Sequence, residues 1–127
     1  MKITKTVVNH QDERGIIRDI MTHTDVDAIT LVTIAPGAVR GNHYHDRTMQ
    51  YDYIIAGKAL CRARNNESGE IEEATVEAGD FIIHPAGNAH AYQGIEDVTM
   101  ISATHGPRQG DQYEEDTFRL AADEKLI

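Results

Sequence analysis

The run Pro36-Gly37-Ala38-Val39-Arg40-Gly41-Asn42-His43-Tyr44-His45 follows directly on Ile29-Thr30-Leu31-Val32-Thr33-Ile34. The earlier run is β-branched and alternating, and Ala35-Pro36-Gly37 brings it to a turn. Along the strand that follows, side chains two apart share a face, so His43 and His45 point the same way. Two imidazoles on one face can grip one metal ion. On spacing alone, two solvated histidines on a loop is the more economical reading.

Working outward, strand follows strand. Met49–Ala56 is rich in Tyr and Ile and stops at Gly57, and Lys58–Arg64 alternates up to Asn65-Asn66-Glu67-Ser68-Gly69, a hairpin loop. Ile71–Glu77 returns, Ala78-Gly79-Asp80 turns, and Phe81–His84 runs into Pro85-Ala86-Gly87-Asn88. Ala89–Gln93 and Val98–Thr104 complete the series. Ile3–Asn9 and Gly15–Met21 are weaker strands around Asp12-Glu13-Arg14, expected to pair at an edge or across a dimer. No helical stripe precedes residue 112, and the charged tail Gly110–Ile127 is expected to wrap the outside. Many short strands with Gly/Pro turns indicate an all-β sandwich or jelly-roll barrel. One domain is expected over residues 1–127: N-terminal edge strands over 1–25, barrel core over 26–104 and tail over 105–127.

The glycines around the histidines raise the value of the pair. Gly37, five residues, His43-Tyr44-His45, four residues, Gln50, six residues and Gly57 make one block. Gly79, five residues, Pro85-Ala86-Gly87, two residues, His90, three residues and Gly94 make a second. Together they resemble the two motifs of the cupin superfamily. That resemblance implies a double-stranded β-helix barrel with a metal inside, held by His43, His45, Gln50 and His90. Two positions depart from the pattern. Gly94 stands where the family often has Asn, and Gly also suits a turn. Gln50 stands where it usually has Glu, so its amide oxygen would ligate without adding negative charge, or would only hydrogen-bond a metal-bound water. The cofactor expected is one divalent transition metal, Zn, Ni, Fe or Mn.

The stretch from Pro36 to His45, with Asp12-Glu13-Arg14-Gly15, is similar to segments of nucleotide-sugar cupins. These are dTDP-deoxysugar epimerases, ketoisomerases and the C-terminal cupin domain of bifunctional reductases of capsular polysaccharide synthesis. The resemblance implies an isomerase or epimerase that moves a proton next to a carbonyl. The alternatives are an Fe(II)-type cupin dioxygenase, which the neutral Gln50 disfavours, and a non-catalytic sugar- or metabolite-binding cupin.

If Gln50 faces inward, Asp52 and Ile54 do too, and Tyr92 follows His90. His43, Tyr92 and Asp52 are therefore the candidates for proton transfer, and Arg40, Arg62 and Tyr92 for substrate contact. A guanidinium fork suits a phosphate or carboxylate. The bland reading of Arg62 is a solvated outer face, and that of Tyr92 and Asp52 is packing. His84 is read as an outer strand residue or a rim residue, and Gly106-Pro107-Arg108 as an ordinary turn.

The 127 residues carry a formal net charge of -9, which repels phosphate backbones and anionic lipid, so nucleic acid and membranes are not expected as partners. The expected partners are a small-molecule ligand, such as a sugar derivative, and a second copy in a homodimer. Cys61 is the one cysteine, so no intrachain disulfide can form. Met1-Lys2-Ile3-Thr4 runs straight into strand-like sequence with no apolar h-region, and a cytoplasmic location is the expectation. No G-x-S-x-G elbow, Walker loop, G-x-G-x-x-G or CxxC occurs.

Overall fold

A computed structural model describes residues 1–127 as an antiparallel all-β jelly-roll barrel. Twelve strands occur in order: β1 (Lys2–Lys5), β2 (His10–Asp12), β3 (Gly15–Ile17), β4 (Ala28–Ile34), β5 (Val39–Tyr44), β6 (Met49–Ala56), β7 (Lys58–Asn65), β8 (Ile71–Glu77), β9 (Asp80–His84), β10 (Asn88–Gly94), β11 (Val98–His105) and β12 (Phe118–Arg119). Two five-stranded antiparallel sheets face each other, ordered β1-β9-β6-β11-β4 and β12-β5-β10-β7-β8. β2 and β3 form a separate hairpin. Of the two weak N-terminal strands, the first pairs at a sheet edge as expected, β1 adding to β9, while the second, shortened to Gly15–Ile17, pairs only with β2 in a hairpin over residues 10–17.

Alternation sets the interior. β6 buries Gln50, Asp52 and Ile54, and β9 buries Asp80, Ile82 and His84. Ile34, Ile54, Cys61, Val76, Ile82, Val98 and Met100 close one region of the barrel as an apolar core. Burial pushes the Cys61 thiol up to about 12, as expected of a packing residue rather than a nucleophile. The imidazoles gather in the polar remainder.

The tail does more than wrap. Leu120 and Leu126 pack on Ala89 and Ala91, on the outward side of β10, and so cover the second sheet. β12 pairs with β5, and Asn42 holds the last residues by accepting from Leu126 N at 2.8 Å and donating to Ile127 O at 2.9 Å. The first sheet has no such cover. No helix is long and apolar enough to cross a membrane.

Gly94 is not a turn residue. It sits at the end of β10, where a Cβ would lie 2.5 Å from the carbonyl oxygen of Ala35, so glycine is required there for room. Gly94→Ala is therefore expected to lower stability by about 1–3 kcal/mol, the usual cost of forced overpacking. Urea denaturation of the two proteins measures it, and equal midpoints would contradict the close approach.

Candidate metal and ligand site

β5 carries the histidine pair past a β-bulge. Ala91 of β10 lies opposite Gly41 and His90 opposite His43, which leaves Asn42 as the extra residue. Gly41 and Asn42 take left-handed backbone, with φ of 92° and 56°. A Cβ on Gly41 would lie 2.7 Å from the His90 carbonyl oxygen, so this bulge needs glycine. Directly opposed residues share a face of the sheet, so the shift puts His43 on the His90 side and Arg40, not Gly41, on the Tyr92 side.

The result is a cluster of three rings. His43 and His90 meet edge to face with centroids 4.8 Å apart, His43 and His45 are 4.9 Å apart, and His45 and His90 5.6 Å. One nitrogen from each lies within 4.8 Å of the others. Both nitrogens of His90 are buried without a hydrogen-bond partner. An orphaned lone pair in a closed interior is costly, and a cation where the three rings meet would satisfy one of the two His90 nitrogens. The ring of His45 is turned by the tail: its Nδ1 donates to the backbone oxygen of Asp116 at 2.8 Å, leaving Nε2 as a lone pair. That lone pair faces Gln50 Oε1, from the opposite sheet, at 3.1 Å. Two acceptors at this separation also fit adjacent ligands of one ion. The donor set therefore fits a divalent metal of the kind imidazole favours.

The Asp116 carboxylate accepts from Asp46 N and Arg47 N at 3.0 Å each and from the Thr48 hydroxyl at 2.7 Å, so one tail residue holds both His45 and the turn after it. Nothing in the sequence pattern marks Asp116.

A hydrogen-bonded chain runs behind the cluster. Gln50 Nε2 donates to both oxygens of Asp52, and the Tyr92 hydroxyl donates to Asp52 Oδ2 at 2.7 Å. His84 Nε2 donates to the Tyr92 oxygen at 2.8 Å, and the His84 ring stacks on His90 at 4.3 Å. His84 is thus an interior residue, not an outer or rim one. The signal was available: it alternates with Ile82 on β9.

Burial sets the charges. It holds the His84 imidazole down to about 3 and His90 well below its ordinary value. His43 is held to about 4 by burial, then by His45, Arg119 and Arg108. Burial pushes the Asp52 carboxyl up, against the hydroxyls of Ser102 and Tyr92 and the Gln50 amide. It raises Tyr92 well above the usual phenol range, with Asp52 adding to the effect.

The cluster opens onto a cavity of about 580 Å³ between the sheets. His43, Gln50 and Tyr92 line it, and so do Arg40, Arg108 and Arg119. Arg40 Nε donates to the Thr33 carbonyl at 2.8 Å. Arg119 pairs bidentately with Glu114 at 2.6 and 2.7 Å. Arg108 and Arg119 come from segments read as an ordinary turn and an outer tail, so alternation could not find them. Arg62 is not brought to this cavity. It lies on the outer face of β7, where it pairs with Glu73 and donates to the Leu126 carbonyl at 2.7 Å. Asp52 does not line the cavity either, because it sits behind Gln50 with its oxygens occupied.

Residues 10–118 match the family described as Polysaccharide biosynthesis C-terminal domain. Among curated proteins, a probable oxalate decarboxylase of Arthroderma benhamiae is 35% identical over 86 residues, covering 68% of this chain and 20% of the relative. The chain spans about a fifth of the length of the curated relatives it matches. Among solved structures, the dTDP-4-dehydrorhamnose 3,5-epimerase of Sulfolobus tokodaii superposes with a TM-score of 0.75 at 18% identity, covering 91% of this chain and 74% of that one. The capsular polysaccharide assembling protein CapF of Staphylococcus aureus superposes at 0.65 with 24% identity, covering 92% of this chain and 34% of that one. At these identities the structural likeness shows the fold.

Unfolded histidines take up protons near 6.5, whereas His43, His84 and His90 in the folded chain do so only far below it. Unfolding therefore takes up protons on acidification, and the stability present above about pH 7 is lost as pH falls toward 4. Asp52, shifted upward, opposes this as a single group. A net uptake of about two protons makes the metal-free protein less stable by about 2–3 kcal/mol between pH 6 and pH 5. Urea midpoints at pH 7, 6 and 5 measure this, and a flat profile would contradict the buried neutral rings.

Proposed function

Because the chain belongs to the polysaccharide biosynthesis C-terminal domain family and folds as a cupin, we propose that it is a metal-holding isomerase or epimerase of a sugar derivative. The observation that carries the reading is the meeting of three imidazoles beside an arginine-lined cavity. About 580 Å³ is room for a sugar ring with an anionic substituent. His43, His45 and His90 would hold the ion, with Gln50 Oε1 as a fourth donor; Zn, Ni, Fe and Mn all suit imidazole to differing degrees. When bound, such an ion supplies Lewis-acid polarisation of a carbonyl.

The remaining work falls to the chain's own side chains. Arg40, Arg108 and Arg119 are the cationic groups able to hold the anionic end and to stabilise an enolate oxygen as it forms. His43 is the most exposed of the three rings, and its depressed pKa leaves a lone pair available at neutral pH. That lone pair serves the ion or a substrate proton, one at a time. Tyr92 is a poor proton acceptor, since its hydroxyl is committed to Asp52 and His84. Proton transfer is therefore assigned to His43 where its lone pair is not holding the ion, which His45, His90 and Gln50 would then keep, and Tyr92 and Asp52 are assigned to support.

One observation favours a second reading, a non-catalytic sugar- or metabolite-binding cupin: of the two other groups expected to move protons, Asp52 does not line the cavity, and Tyr92, which does, commits its hydroxyl to Asp52. A dioxygenase is less well supported, because the donors around the ion are all neutral. Incubation with keto-deoxysugar nucleotides in deuterated water separates these readings. The enzyme reading expects solvent deuterium next to the carbonyl, and loss of at least about 100-fold in that rate in His43→Ala. Exchange that survives chelation assigns the step to His43 acting alone. No exchange across the panel, with a sugar nucleotide still raising thermal stability, makes it a binding module; substrate-dependent oxygen uptake by iron-loaded protein would instead return the dioxygenase.

The reading extends to a homodimer through the uncovered face of the first sheet. Ile29 and Leu31 on the edge strand β4 are each 69% exposed, and Tyr51 and Phe81 stack on the same face. Sedimentation velocity is expected to give twice the chain mass, and Ile29→Lys to return it to the monomer. A wild-type monomer at all concentrations would contradict this.

A further inference from the structure

Gln50 stands where the resemblance implies an acidic ligand, so the donor set lacks one negative charge. A carboxylate lies one hydrogen bond behind it. Asp52 is two residues along β6 on the same inward face and is fully buried. Gln50 Nε2 donates to its Oδ1 at 3.1 Å and its Oδ2 at 3.0 Å. No lysine or arginine pairs with Asp52; the nearest basic nitrogen is His84 Nε2 at 3.5 Å.

The carboxylate also decides which way the Gln50 amide points. With the nitrogen toward Asp52, the oxygen faces the His45 Nε2 lone pair at 3.1 Å. Turned over, the amide oxygen would face the carboxylate instead. Adjacent ligands about 2.1 Å from one ion sit roughly 3.0–3.4 Å apart, from octahedral to tetrahedral angles, and the 3.1 Å contact falls within that range. A proton on His45 would satisfy the same contact, and the experiment below separates the two.

We infer that Asp52 is a positioning residue for the metal: by accepting from Gln50 Nε2 with both of its oxygens it turns the amide oxygen toward the three imidazoles. A carboxylate accepting from the amide N–H also draws electron density onto the amide oxygen, making it a better donor. The inference rests on the metal-holding reading above.

The full chain, stripped with a chelator, is titrated with Co(II), whose visible bands report the donor set, and with Zn(II) against a chromophoric competitor. Asp52→Asn is expected to weaken Zn(II) binding about 10- to 100-fold and to shift the Co(II) bands. The paired variant Gln50→Glu/Asp52→Asn moves the carboxylate onto the ligand position and is expected to restore affinity to the wild-type level or above. Unchanged affinity and bands in Asp52→Asn overturn the inference, and so does a folded paired variant as weak as the single one. If Asp52→Asn does not fold by circular dichroism, the paired variant decides alone. If neither folds, the side-chain amide resonances of wild-type Gln50 decide: they must move on adding Zn(II), and their indifference overturns the inference. Wild-type protein that binds neither ion, with a protonated His45 instead, removes the metal reading and the role of Asp52 with it. Wild-type binding with an indifferent Asp52→Asn removes only the role of Asp52.

Discussion

Imidazole rings packed against one another away from water must be neutral, because each added proton would face both the loss of solvent and its neighbours' charge. His43, His84 and His90 meet that constraint, with His84 stacked on His90 and His43 edge to face with it. A neutral ring still has one lone pair, and an interior that collects lone pairs is a site for an electrophile. The three-histidine cluster, the unpartnered nitrogens of His90 and the confrontation of His45 Nε2 with Gln50 Oε1 all follow from it.

Holding such a cluster together takes more than the strand that carries it. The bulge at Asn42 sets which side chains of β5 face His90, and Asn42 itself grips the end of the tail. Asp116 then reaches back from the tail to fix the tautomer of His45 and to tie down residues 46–48. From the other sheet, Asp52 holds Gln50, and Tyr92 and His84 complete the support. The candidate ligands are thus fixed from two sheets and a tail segment, an arrangement that preorganises the site.

The polar distribution over the surface has a matching logic. An acidic chain concentrates Arg40, Arg108 and Arg119 at its cavity while Arg62 is spent outside on Glu73 and the tail carbonyl. A local cationic mouth on a protein of net charge -9 is where an anionic small molecule would gather.

The amino-acid sequence by itself determined the all-β architecture and the pairing of His43 with His45, because strand alternation has a fixed period of two and the glycine and proline turns set where each strand begins; that His90 joins them was implied by the resemblance to the two cupin motifs. The same period placed Gln50, Asp52 and Ile54 on one inner face. Only the tertiary structure decided what lies opposite what. The bulge that turns Arg40 toward Tyr92, the return of Asp116 onto His45 and the arrival of Arg108 and Arg119 at the cavity all join residues far apart in the chain. So does the interior place of His84 against His90. Periodicity describes one strand at a time, whereas these contacts depend on how the two sheets and the tail close around a shared interior.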